Sequence, residues 1–301
     1  MPTEKKPALG GQAIIEGVMI KSPQYITMSA RGKKGIVTKS EKTKKASKIF
    51  FVRGIVNLID MLVYGTKAII WSSQVAEEEE AEKLKKSEIA LTLVISFAFA
   101  IGIFVVLPYF LTTLFGIKEN TKPFMFNFID GIIRMTFFII YLLLISKIKD
   151  VKRLFEYHGA EHMSIHCYEA EKPLTIENVK TFSPIHPRCG TSFIMIVFFL
   201  SIIIFSIVPS SVKLFIPTLF TMPLFQQKAI LFITRLIFIP IIAGLSYEIL
   251  RLNTVHSNNF IMKIINFPGI VIQKITTKQP DESQIEVAIA SVNKAMEMEA
   301  R

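Results

Sequence analysis

Ile89-Ala-Leu-Thr-Leu-Val-Ile-Ser-Phe-Ala-Phe-Ala-Ile-Gly-Ile-Phe-Val-Val-Leu-Pro-Tyr-Phe-Leu-Thr-Thr113 runs for 25 residues without one charged side chain. A helix needs about 20 such residues to cross the hydrocarbon of a bilayer, where its backbone must satisfy its own hydrogen bonds. Three more segments read the same way: Phe128–Ser146, Phe193–Val208 and Lys228–Tyr247. Of these, Phe193–Val208 is the shortest and is expected to stop at Pro209. The remaining polar residues are concentrated between these segments. This segregation reconciles a mean hydropathy of +0.45 with a net charge of +11, a combination unsuited to one soluble domain. The fold class expected is mainly α: a polytopic helical membrane protein of about four spans with a small cytoplasmic α+β part.

Charge orients the spans. Sixteen Lys and Arg precede the first span, seven lie in 147–192, and six follow Leu245. The loops 114–127 and 209–227 hold two and one. Positive residues stay on the cytoplasmic side, so both termini and the central segment belong there. With only Cys167 and Cys189, and no apolar run after Met1-Pro2-Thr3-Glu4, nothing points to secretion or a disulfide framework. The basic excess suits topology and anionic headgroups, so the partners implied are the lipid bilayer and an undefined substrate, with no nucleic acid. A homo-oligomer stays open.

The organisation then follows. Residues 1–48 form an N-terminal segment in which Gly32-Lys33-Lys34-Gly35 joins a small β-hairpin, preceded by a short strand over Ala13–Met19. Residues 49–88 hold an apolar helix, Ile49–Trp71, and a charged one. The apolar helix carries Arg53, Asn57, Asp60, Tyr64 and Lys67 as a single polar stripe, which suits an interfacial position better than a span. The charged helix contains the Glu79–Lys83 and Glu82–Lys86 pairs. Spans occupy 89–146 and 193–247, flanking the central segment 147–192. The tail, 248–301, ends in an amphipathic helix for which Ser283 and Glu286 suggest a capping box. Asp130, Arg134 and Arg235 fall inside spans, where they read as interfacial anchors or as the lining of a transport path.

Four of the five histidines and both cysteines lie in 157–189. His158 and His162 are four apart, hence on one helix face, and Glu161 completes His-x-x-Glu-His. That is the inverted zinc-protease arrangement, two imidazole ligands and a general base. His186-Pro187-Arg188-Cys189 supplies further ligands, with His186 and Cys189 ranked before His166, Glu169 and Glu248 for the third position. The cofactor expected is a divalent metal ion, zinc by preference. Arg188 joins Glu161 as a candidate catalytic group. Two other readings compete. The cluster could be structural in a transporter or assembly factor. Cys189 could instead be a nucleophile beside His186 or His158, its thiolate favoured by the helix end and by Arg188, a setting that also suits an anionic substrate group. Cys167 reads as a packing residue.

Gly10-Gly11-Gln12-Ala13-Ile14-Ile15-Glu16-Gly17-Val18-Met19, His158-Gly159-Ala160-Glu161-His162, His186-Pro187-Arg188-Cys189-Gly190-Thr191, Tyr247-Glu248 and Thr276-Thr277 with Pro280 together resemble the YqhQ-like bacterial membrane proteins. The resemblance extends over nearly the whole chain, and Met163-Ser164 depart from it only at a flank. It implies an integral protein of a bacterial inner membrane, with a cytoplasmic His/Cys site and a metal-dependent reaction of undefined substrate. By matched motif it points to His158, Glu161, His162, His186, Arg188 and Cys189, with Gly11, Gln12 and Glu16 beside the substrate.

Overall fold

Gly17-Val-Met-Ile-Lys21 is buried on both of its faces, and such a strand requires cover on both sides. In the computed structural model, which describes residues 7–43, 49–77, 86–119, 121–255 and 259–301, it has that cover. It is the second strand of an antiparallel meander: β1 (Gly10–Ile14), β2 (Gly17–Lys21), β3 (Tyr25–Gly32) and β4 (Gly35–Lys42), in that order across the sheet. The expected single strand over 13–19 is in fact two. The chain reverses at Ile15-Glu16, with Glu16 in the left-handed region at φ 50°.

The chain divides into two compact units. The first comprises Met1–Lys83, Leu143–Ser192 and Asn266–Arg301. Val18 and Ile20 on one face of β2 pack with Tyr157, Ala160 and Met163 of α5 (Lys149–Glu169) and with Ile285, Ala288 and Val292 of α10 (Glu282–Glu299). Met19, on the opposite face, joins Ile14, Ile26 and Met28 against Met61, Tyr64, Ala68 and Trp71 of α1 (Val52–Glu77). The result is a sheet sandwiched between helices. Asn57 and Asp60 of the α1 polar stripe receive Lys21 at 2.8 and 3.5 Å. The α10 N-terminus is capped by Asp281, with Gln284 returning the hydrogen bond, two residues earlier than Ser283 and Glu286 suggested. Glu286 instead pairs with Arg31.

The second unit comprises Leu84–Leu142 and Phe193–Ile265. Its helices are α2 (Lys86–Ile101), α3 (Leu107–Leu114), α4 (Pro123–Ile145), α7 (Gly190–Phe215) and α8 (Leu224–Val255), of which α4 and α7 begin or end in the first unit. A π-helical turn, Gly102–Val106, joins α2 to α3 just before Pro108, which has no N–H to continue a regular ladder. Pro209 does not end α7, which continues six residues further; proline is tolerated within apolar helices of this kind. Asp130 and Arg134 pair at 2.7 Å, while buried Glu119 takes Lys228 and, at 3.6 Å, Arg235. The two arginines therefore have acidic partners within the unit.

Among the described residues, five helices are long and apolar enough to cross a membrane by length and composition: Val52–Glu77, Val94–Leu114, Pro123–Ile145, Gly190–Phe215 and Leu224–Leu252. The count is thus about five where four were expected, the addition being α1, whose apolar residues outlast its polar stripe. The expected Glu79–Lys83 and Glu82–Lys86 pairs lie outside the described residues. The chain is completed by α6 (Ile176–Val179) and α9 (Phe260–Thr276).

Candidate metal centre

The candidate site lies in the first unit and is assembled by α5, the loop 180–189 and the end of α9. α5 turns Tyr157, Ala160 and Met163 into the core, which leaves His158, Glu161 and His162 on its other flank. The helix approaches the chain after α9 so closely that a Cβ at Gly159 would lie 1.9 Å from the carbonyl oxygen of Lys278. Only glycine allows that approach. It brings the Thr276 carbonyl within 2.8 Å of His158 Nδ1. On the other side, the Pro184 carbonyl lies 2.6 Å from His162 Nδ1.

These two carbonyls decide the tautomers. A carbonyl can only accept, so each Nδ1 carries the proton and each Nε2 keeps its lone pair. The two rings lie 4.3 Å apart, and Cys189 Sγ sits 3.3 Å from His158 Nε2. His158, His162 and Cys189 each offer a ligand atom within 4.8 Å of the other two. Tetrahedral zinc, with Zn–N near 2.0–2.1 Å and Zn–S near 2.3 Å, separates its ligand atoms by roughly 3.3–3.7 Å. The residues present fit such an ion. Imidazoles fixed through Nδ1 by outer carbonyls have the arrangement of metal ligands. Thr191 donates to the same sulfur through its backbone N–H at 3.5 Å and its hydroxyl at 3.3 Å.

Glu161 is buried, and its Oε2 has no hydrogen-bond partner among the described residues. Burial pushes its carboxyl above the usual range, against the opposing pull of His158 and His186. Gly11 of β1 closes over it, since a Cβ there would stand 2.8 Å from Glu161 Oε1. Burial also holds His162 and His186 below the ordinary imidazole value, so both favour the neutral form.

A second grouping lies beside the first: His166, Glu169 and His186, with ligand atoms also within 4.8 Å. Its chemistry differs. The Arg188 guanidinium is ion-paired with Glu169, so a cation already occupies the carboxylate. His166 donates from Nε2 to the Ile185 carbonyl at 3.0 Å and stacks on Phe182. His186 Nδ1 accepts the Arg188 backbone N–H at 3.2 Å. The second grouping is a poorer cation seat than the first.

Gln12 and Glu16 have partners of their own. Strand alternation turns Gln12 away from Gly11, so that its side chain lies against Gly65 of α1. Glu16 is clamped by Arg153 and by the Tyr157 hydroxyl at 3.1 Å. Glu248 is buried on α8, in the second unit. Cys167 is a core residue. Sequence reasoning missed Gln273, which is fully buried on α9. Its Oε1 accepts the His186 N–H at 2.8 Å and its Nε2 donates to the His186 carbonyl at 3.0 Å. The available signal was an amide among the apolar residues of the amphipathic stretch 260–276.

Residues 49–298 match the family model described as a protein of unknown function, DUF1385. The chain is a member of that family. It is also 32% identical to the uncharacterized protein YqhQ of Bacillus subtilis strain 168, across 98% of this chain and 94% of that protein. The YqhQ-like resemblance read from the motifs is thereby shown over almost the whole length. No solved structure matches.

Proposed function

We propose that this DUF1385 protein is a membrane-bound, metal-dependent enzyme of hydrolytic type, with a zinc-like ion held by His158, His162 and Cys189. The observation that carries the reading is the convergence of these three donor groups, two of them fixed in the ligand tautomer by the carbonyls of Thr276 and Pro184. Three protein ligands leave one coordination position for chemistry. A bound divalent ion supplies Lewis acidity there. Glu161 accepts the proton of the attacking water, a role suited to a carboxyl whose proton affinity burial has raised. The charge asymmetry supports both termini and this segment on the cytoplasmic side, and the Bacillus relative supports a bacterial inner membrane.

Metal analysis of the full-length protein purified in detergent tests the proposal. About one equivalent of zinc is expected in the wild type, lost in His158→Ala and His162→Ala; less than ~0.2 equivalents of any divalent transition metal overturns it. The second reading, a transporter or assembly factor, draws on the charged network of Glu119, Lys228, Arg235, Asp130 and Arg134 in the apolar unit. Full rescue of a deletion strain by Glu161→Gln favours that reading.

A further inference from the structure

His186 stands among the metal-ligand candidates, yet its surroundings give it a different task. Gln273 grips its backbone on both sides, so the residue is held in place independently of its ring. The ring in turn accepts a backbone N–H from Arg188 at Nδ1. A neutral imidazole that accepts at one nitrogen carries its proton on the other. His186 Nε2 is therefore an N–H, unlike the Nε2 lone pairs of His158 and His162. That N–H is buried, in a residue only 4% exposed, and lacks a hydrogen-bond partner among the described residues. Glu169 Oε2 stands 3.4 Å away without forming a hydrogen bond to it, while the other oxygen of that carboxylate, Oε1, pairs with Arg188. The His186 ring lies 5.6 Å from the His162 ring and within electrostatic reach of Glu161, whose Oε2 is likewise unsatisfied among the described residues. A buried donor and a buried acceptor, both unsatisfied, flank the candidate centre.

We propose that His186 donates its Nε2–H to the substrate oxygen that becomes anionic during reaction, so that the substrate is an acyl or phosphoryl compound. The inference rests on the proposed function and deepens it. A fixed, dehydrated donor stabilises an oxyanion without reorganisation and keeps its own proton throughout. Glu161 takes the proton of the attacking water, and the two orphaned atoms thus serve opposite ends of one tetrahedral intermediate.

Full-length protein in detergent, loaded with one equivalent of zinc, is titrated calorimetrically with inorganic phosphate as a tetrahedral oxyanion. His186→Ala is expected to keep its zinc stoichiometry and to bind phosphate about tenfold or more weakly, the scale of a lost hydrogen bond to a charged group. His186→Gln, whose amide can donate, is expected to recover part of that loss. In wild-type protein labelled with 15N-histidine, the one-bond N–H coupling at His186 Nε2 is expected to persist after zinc addition, which needs no variant to fold. Loss of zinc in His186→Ala, disappearance of that coupling on zinc loading, or phosphate affinity that is absent in the wild type or unchanged in the variant overturns the proposal. Failure of the wild type to take up zinc overturns the metal reading itself and removes this inference with it.

Discussion

His158 and His162 on one side, and His166 and His186 on the other, form two imidazole pairs with the same 4.3 Å ring separation. Proximity therefore does not distinguish them. In the first pair both Nδ1 atoms meet carbonyl oxygens, and both Nε2 lone pairs are left for an ion. In the second, His166 donates through Nε2 and His186 accepts through Nδ1, and a guanidinium already holds the local carboxylate. What a histidine cluster can do is decided by the backbone groups behind the rings.

The strongest way to break this contrast is to move the backbone behind His158. In Gly159→Ala the new Cβ would stand 1.9 Å from the Lys278 carbonyl oxygen, so α5 and the segment after α9 must separate. Overpacking of this kind costs about 1–3 kcal/mol, and the fully buried setting places the expected loss near the upper end. The same displacement takes the Thr276 carbonyl from His158 Nδ1. Zinc affinity is expected to fall by roughly 10–100-fold, as for loss of an outer-shell partner. Parallel thermal melts and zinc titrations check both effects. Normal zinc affinity in a destabilised variant would show that the carbonyl does not orient the ligand.

A smaller effect of opposite sign is expected at Glu161. Its folded-state proton affinity is raised by burial, so folding at neutral pH must either take up a proton or bury a charge. This cost is present above the unfolded carboxyl value and fades as pH falls below it. Glu161→Gln is therefore expected to stabilise the metal-free protein at pH 7–8 by something of the order of 1 kcal/mol, with the gain vanishing below about pH 4.5. The variant is expected to keep its zinc, because the three ligand groups are untouched. Equal melting temperatures for wild type and variant across that pH range would contradict the account. A stabilised variant that retains zinc but loses function separates the proton-moving residue from the ligands.

Part of this arrangement was legible in the residues alone. The long apolar helices need only length and hydropathy to be seen, and the i, i+4 spacing of His158 and His162 follows from helix geometry. Other features depended on context. Pro209 looked like a terminus because a soluble helix would break there. α1 showed a polar stripe, yet whether its apolar remainder amounts to a span-length helix is a matter of degree, and five candidates stand where four were expected. The β1–β2 reversal at Ile15-Glu16 lacks the usual glycine at its left-handed position, so a single strand was the natural reading. The family motif and its glycine-rich segment point to Gln12 and Glu16 as well as Gly11 beside the site. Strand alternation and the Arg153 clamp take Gln12 and Glu16 elsewhere. The tautomers could not be read at all, because they are imposed by the backbone carbonyls of Pro184, Ile185 and Thr276, and a carbonyl carries no residue-type signature.

The gentlest test of the contrast is Glu169→Gln. It removes the charge that Arg188 now holds, at side chains that are 34% and 29% exposed. Ion pairs with that much solvent contact contribute about 0–1 kcal/mol, so stability is expected to fall by no more than that. Zinc stoichiometry is expected to stay at one, because the lost carboxylate belongs to the grouping whose histidines present N–H groups or bond backbone. Metal analysis of the variant beside the wild type decides the matter. A drop from two equivalents to one would mean that both imidazole pairs hold ions and that the backbone partners of His166 and His186 rearrange to allow it. An unchanged single equivalent, with a melting temperature within a few degrees of the wild type, leaves Arg188 as the cation that the second grouping is built to hold.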